Sequence, residues 1–223
     1  MELKRPMPLA SFALVLYALL ASFGKFLFFV AYLIEGWGFS SAFTVLTDGM
    51  LYPLCLAALG VVLFFVKKEL AYCIGIGAVA LLTNIDIFDS LTWMFRSFSA
   101  ASVFSYFSTS LVSLGWLALA AIAILFMLKQ YKLLKLWYLP AIPFAVVLMI
   151  TFISNAIDGI RAIGNLFDGW NVWFYLAAIF NDMIGTVNAL LLAAAALLLG
   201  RWFFDMTDLE AYYAKKEAKK AAK

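Results

Sequence analysis

The stretch from Val172 to Gly200 constrains this chain most, because it is a long apolar run with a carboxylate inside it. At ~1.5 Å rise per residue its roughly 29 residues reach over ~40 Å, more than the ~30 Å hydrocarbon core of a bilayer. It reads as a membrane-spanning helix. Asp182 lies about ten residues in from one end, roughly 15 Å deep, beside Asn181 and ahead of Gly185, Thr186 and Asn188. A carboxylate at that depth costs about 3 kcal/mol on insertion scales and normally faces other helices or a water-filled cavity. The remaining helices are therefore expected to pack around this face.

Five more apolar runs accompany it, at about 8–34, 49–66, 70–92, 103–128 and 136–157. Each is near or above the ~20 residues that a spanning helix needs. The predicted fold is all-α, a polytopic membrane bundle of six helices in three hairpins, with short interfacial helices on the outer side. Residues 1–200 form its single transmembrane domain. Residues 201–223 form a basic tail, where Thr207-Asp208-Leu209-Glu210 is a capping-box pattern that opens a short surface helix. The charged content of 13% against 66% hydrophobic residues excludes a soluble domain, for which ~25% charged is usual.

The amino-terminal run follows Lys4 and Arg5 and has the outline of a signal peptide, with Ser22-Phe23-Gly24 as a weak cleavage site. Apolar character resumes after Lys25 and reaches spanning length, so the segment is expected to be retained as the first helix.

Lysine and arginine set the orientation. All of them except Lys25, Arg96 and Arg161 fall at one set of helix ends. By the positive-inside rule both termini are cytoplasmic, in a plasma (inner) membrane. Lys129, Lys132 and Lys135 recur on one short amphipathic piece, as a topology signal and contact for anionic lipid or as a coupling point for a partner.

The opposite ends carry Glu35, Asp48, Asp86, Asp89, Asp158 and Asp168. Three rising helices end alike, in Ile34-Glu35-Gly36, Asn84-Ile85-Asp86 and Asn155-Ala156-Ile157-Asp158-Gly159, but the unequal spacing argues against internal duplication. After Asn84 the residues Asp86, Asp89, Trp93 and Arg96 share roughly 80° of arc, which predicts a helix that continues past the apolar run. Asp158, Arg161, Asn165 and Asp168 repeat this after Asn155. Trp37, Trp93, Trp170 and Trp173 at this level, with Trp137 and Trp202 at the other, read as an aromatic belt, the alternative being a stacking wall for a ligand.

Candidate substrate-binding residues follow from depth. Asp182, Asn181, Asp86, Asp89, Asp158 and Asn155 reach one half of the bilayer from three helices, joined by Asn84 and rimmed by Trp93, Arg96 and Arg161. Polar groups persist there only inside protein or around water, so they outline an outward-facing vestibule. Lys25, the other charge within a span, either snorkels outward or reaches Asp182.

No catalytic chemistry is expected. Histidine is absent, and so are G-x-S-x-G, H-E-x-x-H, C-x-x-C, Walker A and G-x-G-x-x-G patterns. Cofactors and metals are therefore not expected, and Asp86 with Asp89 is only a weak carboxylate pair. Cys55 and Cys73 sit at different depths of different spans and should be free thiols. The expected partners are the lipid bilayer, a small-molecule or cation ligand, and a protein partner in a membrane complex, with no nucleic acid. Solute binding or transport, driven by an ion gradient or a partner, is the leading functional expectation, and a non-catalytic subunit of a larger assembly is the alternative.

Overall fold

The computed structural model describes residues 7–66, 68–96, 98–130, 132–166 and 171–207 together with Ala218. Every regular element among them is helical: α1 (Met7–Ile34), α2 (Phe39–Thr47), α3 (Leu51–Phe65), α4 (Glu69–Arg96), α5 (Ala100–Met127), a 3-10 turn (Leu133–Leu136), α6 (Ala141–Leu166) and α7 (Val172–Asp205). Five stretches are long and apolar enough to cross a membrane: Pro8–Ile34, Glu69–Arg96, Val103–Met127, Leu133–Leu166 and Val172–Asp205. The chain belongs to the multi-pass membrane class.

The second apolar run departs from expectation. Leu51–Phe65 has 15 residues and falls short of a span by itself. It reaches span length only together with α2, from which it is bent by 42°. The break has a local cause. Asp48 caps α2 in an extended conformation and Gly49 follows at φ 62°, a left-handed value that side chains with a Cβ resist.

The polar stripes read after Asn84 and Asn155 do lie on continuing helix, since α4 runs to Arg96 and α6 to Leu166 without interruption. The capping box is outside the described residues apart from Thr207, whose hydroxyl donates back to the Phe204 carbonyl at 2.6 Å. Both cysteines are free.

Lipid is as apolar as leucine, so helices in it hold together through close packing and scarce polar contacts. Small residues supply the closeness. Ala10, Ala13, Ala18 and Ala31 of α1 are buried, as are Ala177, Ala189, Ala195 and Ala196 of α7, and these two helices pack along much of their length. Between α1 and α3, the Ser11 hydroxyl donates to the Gly60 carbonyl at 2.5 Å. A Cβ on Gly60 would stand 2.8 Å from Val15 and 3.0 Å from the Ser11 carbonyl. Large apolar side chains such as Leu9, Phe12, Leu81, Phe88, Leu190 and Leu197 point outward instead.

Aromatic residues knit the lysine-rich end. Tyr72 of α4 meets Trp202 of α7 at 5.4 Å, and Phe126 of α5 meets Phe203 at 5.3 Å. Trp202 is 1% exposed. It is therefore a core residue, and the interfacial-belt reading fails for it. That reading fits Trp37, Trp93 and Trp173, each about half exposed. Trp170 lies outside the described residues.

Helix neighbours determine which polar residues can meet. The most extensive pairs are α6 with α7, α1 with α7, α4 with α5 and α1 with α3, while α5 also packs on α6 and α3 on α4. Among the described residues α4 has no backbone contact with α6 or α7.

Candidate functional site

The site is built on α7. Its first turn is tied to the end of α1, where Glu35 Oε1 accepts a hydrogen bond from the Trp173 backbone N–H at 3.0 Å. A carboxylate at a helix N-terminus takes up an otherwise unpaired donor and complements the helix dipole. This fixes α7 lengthwise against α1. Two turns further in, Asn181 faces α1 at Gly24, where a Cβ would lie only 2.6 Å from Asn181 Oδ1. Asn181 is thus spent on helix packing.

Asp182 turns toward α6. There Asn155 Nδ2 donates to the Asp182 backbone carbonyl at 2.6 Å and to Thr186 Oγ1 at 3.0 Å. Thr186 Oγ1 in turn donates to the same carbonyl at 3.2 Å. Gly185 makes the approach possible, because its Cβ would stand 3.1 Å from Asn155 Nδ2. A carbonyl can only accept, so the Asn155 amide orientation is fixed by chemistry.

Beside this bridge lies a groove of about 330 Å³. On α6 it is lined by Phe152, Asn155, Ala156 and Gly159, the i, i+3, i+4, i+7 positions of one face. On α7 it is lined by Ile179, Asp182, Met183, Thr186 and Val187. Phe152, Ala156, Met183 and Val187 are exposed, so the groove opens on the flank of the bundle. The half-buried Asp182 carboxylate accepts no hydrogen bond from any described residue.

The other expected site residues lie elsewhere. Asp158 is one turn along α6, where it takes hydrogen bonds from Arg161 at 3.3 Å and Ser154 at 3.4 Å. Asp86, Asp89 and Trp93 are on α4, away from the groove, and Asn84 donates to the Ala80 carbonyl of its own helix. A vestibule shared by three helices does not form; the acids divide between α4 and the α6–α7 pair. Lys25 does not meet Asp182. Its ammonium donates to the Asp48 carbonyl at the α2–α3 break. Among the described residues no three cysteine, aspartate or glutamate side chains converge in the way a metal ion requires.

Sequence reasoning missed a second polar contact within the bundle. Trp116 of α5 donates from Nε1 to the Tyr52 hydroxyl of α3 at 2.9 Å, and Tyr52 packs edge-on against Tyr17 of α1 at 5.9 Å. Trp116 stands in the middle of its apolar run, far from either interface, and that position was the available signal.

The bridge carries a stability prediction. Asn155→Ala is expected to lower stability by about 1–2 kcal/mol through loss of two interhelical hydrogen bonds. Asn155→Asp should cost more, since it sets a carboxylate against the Asp182 carbonyl. Thermal unfolding in lipid nanodiscs reads both, and equal melting of the two variants would contradict the bridge.

No family model matches the chain, and neither a characterised protein nor a solved structure matches it.

Proposed function

We propose that this chain is a non-enzymatic solute-binding or transport component of the plasma (inner) membrane, with the α6–α7 groove as its site. The observation that carries the reading is that Asp182, whose carboxylate has no partner among the described residues, lines a groove of ligand size between two spanning helices. In this reading α1 with α2–α3, α4 with α5, and α6 with α7 are three hairpins. The asymmetry of lysine and arginine supports cytoplasmic termini, which puts Asp182 in the outer half of the membrane, beside a groove that opens on the flank of the bundle.

Native mass spectrometry of the gently released protein tests the proposal. The expected result is a discrete small-molecule adduct that Asp182→Asn weakens. A stoichiometric second chain with no adduct would instead make the protein a structural or assembly subunit, with the groove as a contact surface.

A further inference from the structure

We propose that the bundle holds a second site, an axial recess open at the end away from the lysines, which receives a small alkylated ammonium. The helices define the space. α1 packs on α3, α3 on α4, α4 on α5, α5 on α7 and α7 on α1, and among the described residues no backbone contact runs across this ring. α6 packs on α5 and α7, outside it.

Residues three or four apart share a helix face, and four of the inward faces change burial along their length. On α1, Ala10 and Leu14 are buried, whereas Tyr17 and Ala21 are half-buried. On α3, Leu59 and Leu56 are buried and Tyr52 is half-buried. On α4, buried Ile76 and Thr83 give way to half-buried Asp86 and Ser90; on α5, buried Leu119 and Trp116 give way to Val112 and Thr109. Successive spans run in opposite directions, so all the half-buried positions lie toward the end away from the lysines. The ring is packed shut in its lysine-rich half and open beyond it.

Trp116 marks the floor. Its Nε1 donates to the Tyr52 hydroxyl at 2.9 Å, between two helices that have no backbone contact, and Tyr52 meets Tyr17 at 5.9 Å with the rings 82° apart. Two half-buried phenol rings thus form a corner there. Asp86, one turn above Thr83, is close enough to Tyr52 to act on it electrostatically, and its carboxylate accepts no hydrogen bond from any described residue. Lys25 stands about eight residues beyond Tyr17 on α1, ~12 Å nearer the mouth, with its ammonium on the Asp48 carbonyl. Aromatic faces beside an unpaired carboxylate are the chemistry that holds an alkylated ammonium. An anion would meet Asp86. A hard metal ion needs about six to eight oxygens, and no three acidic or cysteine side chains converge among the described residues.

The test uses the full chain in lipid nanodiscs, with radiolabelled choline as probe and its neutral carbon analogue 3,3-dimethyl-1-butanol as competitor. Saturable binding is expected, weakened about tenfold or more by Asp86→Asn while thermal unfolding stays unchanged. Tyr17→Phe should bind like the wild type and Tyr17→Leu about threefold or more weakly, because the ring and not the hydroxyl makes the contact. The neutral analogue should compete at least about tenfold less well than unlabelled choline. Cysteine labelling tests the recess without a ligand. In a chain carrying Cys55→Ala and Cys73→Ala, Ala21→Cys and Val112→Cys should react with a membrane-impermeant maleimide, whereas Leu14→Cys and Leu119→Cys should not.

Equal labelling at the four positions removes the recess. Absence of saturable choline binding, binding that ignores Asp86→Asn, or equal competition by the neutral analogue overturns the cation. Should Asp86→Asn fail to fold, the two Tyr17 variants decide, and equal binding by them overturns the aromatic corner. None of these failures touches the α6–α7 groove, whose own test is separate.

Discussion

Gly200→Val is expected to collapse the folded bundle. Gly200 lies in the last turns of α7, and a Cβ built there falls on the carbonyl oxygen of Trp137, with the Trp137 carbonyl carbon 3.2 Å away. The obstacle is backbone, so no side-chain rotation relieves it. That backbone is anchored on both sides, by Leu134 in the preceding 3-10 turn and by Pro140 before α6, both buried. Trp202 and Phe203 follow Gly200 directly in the aromatic core, so α7 cannot move outward without unpacking Tyr72 and Phe126.

Overpacking against side chains typically costs ~1–3 kcal/mol, and a clash with fixed backbone belongs at or above the top of that range. At ~2–4 °C per kcal/mol for a chain of this size, the melting temperature in nanodiscs should fall by roughly 10 °C or more, if folded protein is recovered at all. Gly200→Ala should already be harmful. Gly77→Ala is the control, because nothing lies within 4 Å of a Cβ there, and its effect should stay within about 1 kcal/mol. A Gly200→Ala variant that melts with the wild type would mean that the chain does not cross α7 at Trp137.

Such contacts mark the boundary between what residue order reveals and what packing decides. Helix identity and length follow from apolar runs, and α1, α5 and α7 start and stop within a few residues of the ends of their runs. Depth follows as well, because each helical residue advances ~1.5 Å, so Asp182 could be placed along the bilayer normal before any neighbour was known. Azimuth does not follow. Asp86 and Asp182 carry similar charges, but α4 sits against α3 and α5 whereas α7 sits against α1 and α6.

Two other differences have local causes. The run read from 49 to 66 begins at Gly49 and leaves out α2, whose apolar character is diluted by Ser40, Ser41, Thr44 and Thr47, and the left-handed φ at Gly49 separates the two helices. The Thr47-Asp48-Gly49 turn chemistry was the readable sign. Trp202 sits beside Arg201 at a helix end, which looks interfacial in sequence, yet Tyr72 and Phe126 enclose its ring. Only one face of a helix end meets lipid, and which face depends on the partners.

The α2–α3 break gives the second large effect, through Lys25→Glu. Where α2 ends, its last carbonyls lack helical partners and carry the negative end of the helix dipole. The Lys25 ammonium donates to one of these, the Asp48 carbonyl, and lies close to Gly49, whose Cβ would stand 3.6 Å from Nζ. A cation within a span and an interrupted helix thereby satisfy each other. Lys25→Met removes the donor and should cost about 1–3 kcal/mol. Lys25→Glu replaces it with an anion facing a carbonyl, and about 3–5 kcal/mol is expected, as when a buried charge loses its partner.

Cysteine placed at Met50 offers a direct readout. Its labelling by a membrane-permeant maleimide should rise in the order wild type, Lys25→Met, Lys25→Glu as the break loosens, and Lys25→Arg should stay near wild type. The double variant Lys25→Glu, Asp182→Lys should not recover stability, because Asp182 faces α6 while Lys25 faces the break. Recovery in that double variant would show that the two charges meet across α1 and α7. Asp182 would then have a partner, and the observation on which a solute site beside it rests would be gone.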